Sequence, residues 1–258
     1  MGQALGVKTQ GTSMVSLQLK DGRLLQARYI PDGGLGYTPW PGNFAMARYL
    51  DTHKDELKLS ERHVIELGSG ACSVSGLMAG IHCKKVELTD RLEVLEEIDA
   101  AIGFAFQGMS PMPNCSAKVL DWADLEFTET AFTPGKADTL MMSDVVYFPM
   151  LKNPLVHTLL FLCNANTEVL WANCDRYPSY VPDMEDFLQL IREFFDISEL
   201  EERPQQGLGG PNEVIGGRVC IRSLRLSSDP AKVAAAKEEL EMAKIGGPVE
   251  SCAKRCFF

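Results

Sequence analysis

The chain has 258 residues, 45% of them hydrophobic and 23% charged, and a formal net charge of −10. That length and composition suit one large soluble domain with a substantial core. A chain built to grip a phosphate backbone should be basic, so the acidic balance argues against a nucleic-acid binder.

The N-terminus, MGQALGVKTQ, lacks the basic start and apolar stretch of a secretory leader, and no apolar run approaches the ~20 residues that span a bilayer. Gly2 lacks the Ser or Thr at position 6 that myristoylation wants, and Cys256 is one place too late for a prenylation box. No membrane association is expected, and the expected location is the cytoplasm, with the nucleus as the alternative. The cysteines at 72, 83, 115, 163, 174, 220, 252 and 256 form no CxxC pair, and His82 beside Cys83 has no second half of a zinc site nearby. Reduced structural thiols and no metal site are expected.

In chain order, Val15–Lys20 and Leu24–Ile30 are strand-like runs with the hairpin signal Asp21-Gly22 between them. The breaker-rich loop 31–42 follows, and Phe44–Thr52 has helical spacing. From residue 63 strands and helices alternate. His63–Leu67, Lys85–Thr89, Ala117–Asp121, Asp138–Ser143 and Glu168–Asn173 are expected strands. Val74–Ile81, Leu92–Phe106, Met150–Leu162 and Met184–Phe194 are expected helices. Such alternation implies a mostly parallel, doubly wound sheet. Phe195–Leu200 and Arg218–Leu226 would add an antiparallel edge, and Asp229–Ile245 has good helix propensity.

The chemistry gathers at the expected carboxyl ends of strands, where open α/β sheets bind ligands. VIELGSGACS (64–73) runs from strand through a glycine turn into a helix whose first N–H groups are free for a ligand. The dinucleotide pattern GxGxxG fails at Ser73. Asp90, about 20 residues beyond the glycines, can accept ribose hydroxyls or cap the next helix. Asp121-Trp122 can flank an adenine, or Trp122 can simply be buried. In Ser143-Asp144-Val145-Val146-Tyr147, Asp144 and Tyr147 can face the cleft; otherwise Asp144 caps the helix after Phe148-Pro149 and Tyr147 packs.

Together these residues resemble the seven-β-strand S-adenosylmethionine-dependent methyltransferases, and more narrowly the Asp-x-x-Tyr protein-lysine methyltransferases of the methyltransferase-like 21 type. The likeness runs from about residue 15 to 226 and rests on Trp40 in TPWPGNFAMARYL, VIELGSGACSVSG, ELTD, Asp121-Trp122 and DTLMMSDVVY. It implies a Rossmann-like α/β fold: a mostly parallel seven-stranded sheet with an antiparallel terminal strand, plus a small N-terminal β element. It implies S-adenosyl-L-methionine as cofactor, held by Trp40, Glu66, Gly68, Ser69, Gly70, Asp90, Asp121, Trp122 and Ser143. It implies methyl transfer to a lysine of a protein substrate, with Asp144 and Tyr147 as the catalytic pair. The sequence departs from the family at Cys72, where a glycine is usual, and in EEIDAAIGFAFQG, which lacks the usual Asn residues.

The expected layout is an N-terminal element (1–36), a methyltransferase domain (37–226) and a tail (227–258). Specificity is expected from the N-terminal segment, the 176–183 loop with Arg176, Tyr177 and Tyr180, and the 203–217 loop. A base-amine methyltransferase would carry prolines where SDVVY stands. A small-amine methyltransferase and a non-catalytic scaffold on the same fold remain as rivals.

Overall fold

The computed structural model describes residues 11–174, 181–213 and 215–245. The hairpin β1 (Ser13–Gln18) and β2 (Leu24–Tyr29) pairs Val15 with Ala27 across an antiparallel ladder. Alternation turns Leu17, Leu25 and Ala27 inward, and Arg28 lies over the Phe104 ring at 4.1 Å. The hairpin is thereby fastened to the helix that carries Phe104, α3 (Leu95–Ala105).

The main sheet contains β3 (His63–Leu67), β4 (Lys85–Asp90), β5 (Cys115–Val119), β6 (Thr139–Ser143), β7 (Glu168–Cys174), β8 (Phe195–Pro204) and β9 (Arg218–Leu226), in the order β5-β4-β3-β6-β7-β9-β8. All pairings are parallel except those of β9, which is antiparallel to both its neighbours. The last strand is therefore the antiparallel one, as expected, but it sits one place in from the edge, and β8 takes the edge. Strand order reverses between β3 and β6, the switch point at which such sheets leave a crevice.

Two apolar cores cover the sheet. β3 divides between them: Val64 faces α1 (Pro41–His53), α2 (Val74–His82) and α3, while Ile65 and Leu67 face α5 (Lys152–Leu162) and α6 (Val181–Arg192). The helix α7 (Pro230–Ile245) touches the second core through Ala236. Among the described residues no helix is long and apolar enough to cross a membrane.

Several boundaries differ from expectation. β5 begins and ends two residues early, so Asp121-Trp122 follows the strand instead of ending it. Its sequence CSAKV is only partly buried and leaves little apolar signal. The short helix α4 (Leu125–Ala131) was not foreseen; Asp124 caps it by accepting the Phe127 N–H at 2.9 Å. α1 starts at Pro41, not Phe44, because proline is pre-set for the first helical position and Asn43 Oδ1 accepts the Trp40 N–H at 2.9 Å. β8 runs on to Pro204, past an irregularity between Glu199 and Glu201.

Candidate active site

The carboxyl ends of β3 to β6 bring most of the expected residues together. After β3 the backbone turns through Gly68 and Gly70, both at positive φ (67° and 64°), where a side chain would be strained. The turn is stitched to its neighbours. Ser69 donates its N–H to Thr89 O at 2.9 Å, and Ala71 donates to Gly36 O at 2.7 Å. Gly36 belongs to the 31–39 segment, which also reaches the chain after β4 through Tyr37 Oη, donating to Glu93 O at 3.2 Å.

Asp90, at the end of β4, accepts the Gly70 N–H at 2.9 Å and the Arg91 N–H at 2.8 Å. It therefore holds the glycine turn, and the helix-cap alternative fails because its bonds go elsewhere. Burial raises its pKa, against the lowering effect of those two N–H groups.

Glu66 is 1% exposed and points into the first core beneath α2. The Ser75 hydroxyl donates to its Oε1 at 2.5 Å, and Asn43 Nδ2 in turn donates to Ser75 Oγ at 3.5 Å. Burial, helped by the nearby Asp90 charge, pushes the Glu66 carboxyl up to about 7. This chain ties β3, α2 and α1 into one polar network.

Trp122 is 9% exposed, with its ring edge against Gly68 and the indole near Val145. Asp121 accepts the Ala123 N–H at 2.9 Å, which fixes the turn. Trp40 stands just before α1, half-buried, and donates its indole N–H to Leu35 O at 3.1 Å. Tyr147 is half-buried against Phe148, with ring centroids 4.7 Å apart.

Asp144 follows β6 in the left-handed conformation (φ 56°) and is 2% exposed. Its Oδ2 accepts the Gly42 N–H at 2.7 Å and its Oδ1 the Cys174 N–H at 2.8 Å. It caps a helix, as one alternative held, but the helix is α1 and not the one that follows it.

Two buried polar atoms at these strand ends, Ser143 Oγ and Trp122 Nε1, have no hydrogen-bond partner, while the Ser69 hydroxyl and the Gly76 N–H lie against the Glu66 carboxylate.

A lysine methyltransferase family model matches residues 20–194, a span that takes in every element of this site from β2 to α6. The chain belongs to the lysine methyltransferase family.

Among its relatives, protein N-lysine methyltransferase METTL21A of Mus musculus is 27% identical over 176 residues, which is 67% of this chain and 74% of that protein. The putative methyltransferase-like protein 21E pseudogene of Homo sapiens is 26% identical over 170 residues, 66% of this chain, and the match spans only 60% of that relative's length. The crystal structure of P. horikoshii TYW2 in complex with MeSAdo matches with a TM-score of 0.50 at 16% identity, covering 83% of this chain and 72% of that one, a likeness of fold.

Cys72 in the turn is 3% exposed, and burial pushes its thiol up to about 12, so it packs as a small apolar side chain. Gly42, Asn43, Ser75 and Gly36 serve the site and were not singled out from the sequence. Asn43, three residues after Trp40, carried a readable capping signal; the others carried none. Arg176, Tyr177 and Tyr180 lie outside the described residues. Among the described residues no group of three or more His, Cys, Asp or Glu could hold a metal ion.

Proposed function

We propose that this chain is an S-adenosylmethionine-dependent methyltransferase that methylates a lysine side chain of a protein substrate by direct in-line displacement. The observation that carries the reading is the lysine methyltransferase family match over 20–194, which contains the whole strand-end site.

The residues present suit the cofactor. The unpartnered Ser143 hydroxyl and Trp122 indole N–H offer polar atoms that a ligand would satisfy. Asp90 already binds two N–H groups, and a carboxylate has about four lone-pair sites, so ribose hydroxyls can be added. Gly68 and Gly70 keep the turn bare for close approach, and Asp121, Trp122 and Trp40 would hold the cofactor beside it. When bound, S-adenosylmethionine supplies a methyl group activated by a sulfonium.

The chain's own residues must then deliver a neutral amine. A free lysine ionises near 10.4, and partial desolvation in the cleft lowers that value. Tyr147 walls the lysine channel. Holding nitrogen, carbon and sulfur in line supplies much of the acceleration, with no covalent intermediate on the protein. The cysteines of the described residues are free thiols, which suits a reducing compartment, the cytoplasm or the nucleus. Transfer of label from methyl-labelled cofactor to lysine, read by amino-acid analysis, tests the reading; label appearing only on a small amine would contradict it.

A further inference from the structure

The acid of the Asp-x-x-Tyr sequence is committed to the backbone. One carboxylate oxygen of Asp144 takes an N–H from a residue 102 positions earlier, Gly42, and the other an N–H from a residue 30 positions later, Cys174. Gly42 lies in the first turn of α1, where the helix has no internal acceptors for its N–H groups and favours an anion. The fit requires glycine. A Cβ at position 42 would fall inside the van der Waals shell of the Asp144 carboxylate.

We infer that Gly42 and Asp144 form a clamp that fixes the start of α1, and with it Trp40, against the carboxyl ends of β6 and β7, so that Asp144 serves the site through the position of α1. The inference rests on the methyltransferase reading above. What α1 carries makes its position matter. Trp40 directly precedes it, and Asn43 connects it to Ser75 and Glu66. The β8–β9 connection also leans on it: Arg48 donates to Leu208 O at 3.1 Å, and Asn212 Nδ2 donates to Pro39 O at 3.3 Å. A shift of α1 would move the cofactor side and the neighbouring loop together.

Two expectations separate a clamp from its rivals. Alanine is the better helix former, so helix propensity alone predicts a gain from Gly42→Ala, whereas the clamp predicts a loss. A group that touches only the substrate amine would leave cofactor affinity unchanged on removal, whereas the clamp predicts that affinity and turnover fall together.

The test is calorimetric titration of the full chain with S-adenosylhomocysteine for the wild type, Asp144→Ala, Asp144→Asn, Gly42→Ala and the double Ala variant. Asp144→Ala and Gly42→Ala should each weaken binding at least about tenfold, the double variant no further than the worse single. Asp144→Asn, which keeps one acceptor oxygen, should lose about fivefold. With a lysine-centred peptide library as acceptor, the pH profile of transfer should keep its shape in Asp144→Asn. Wild-type affinity in Gly42→Ala overturns the clamp, as does Asp144→Ala that binds within about twofold of wild type yet transfers nothing. If Asp144→Ala fails to fold, Gly42→Ala decides alone. Failure of the wild type to bind sinks the methyltransferase reading instead. The clamp is then judged by amide hydrogen exchange at Cys174, and unchanged protection there in Gly42→Ala overturns it.

Discussion

Gly70 donates its backbone N–H to Asp90 Oδ2 at 2.9 Å, so the acid at the end of β4 shapes the glycine turn at the end of β3. The same side chain is the one proposed to bind the ribose. Replacing it therefore removes a ligand contact and loosens the loop that makes the others.

Asp90→Ala should weaken S-adenosylhomocysteine binding on the order of a hundredfold, because a buried N–H loses its partner and the ribose loses its acceptor. Asp90→Asn, which retains one acceptor oxygen, should lose less. Calorimetry on both variants, with circular dichroism to confirm folding, checks the order.

Glu66 makes a pH prediction. Its carboxyl ionises at about 7 in the folded chain against an ordinary value of 4.5, because burial disfavours the charge. Between those values the folded protein keeps a proton that the unfolded chain has lost. The stabilising contribution is complete below pH 4.5, falls as pH rises toward 7 and is gone above it, a change on the order of 3 kcal/mol. Glu66→Gln should flatten this part of the profile. Urea unfolding at intervals from pH 4.5 to 8 measures it.

Gly76, inside α2, is packed against Glu66 Oε2 and Leu88 so closely that a Cβ would clash with both. Gly76→Ala should destabilise the protein by about 1–3 kcal/mol through overpacking, outweighing the ~1 kcal/mol that alanine gains in a helix. A rise in the denaturation midpoint would contradict the packing account.

The fold was legible where buried strands are short apolar runs closed by glycine or an acid, as in His63–Leu67 and Lys85–Asp90. It was less legible at β5, whose polar, half-buried residues resemble loop, and at β9, whose place between β7 and β8 depends on pairings far apart in sequence. The same divide runs through the site. The glycine turn, Asp90 and Asp121-Trp122 could be named because each is a local pattern at a strand's end. The partner of Asp144 could not, since nothing near residue 144 points to an N–H at residue 42. Long-range hydrogen bonds leave no periodic trace, and a glycine kept bare for a carboxylate looks like any other glycine.

The central claim is methyl transfer to lysine. The most direct measurement incubates the full chain with methyl-labelled S-adenosylmethionine and a lysine-centred peptide library, then separates the amino acids after hydrolysis. The account predicts labelled methyl-lysine from the wild type and almost none from Asp90→Ala. A wild type that binds S-adenosylhomocysteine yet labels no lysine, or labels only small amines, would contradict it.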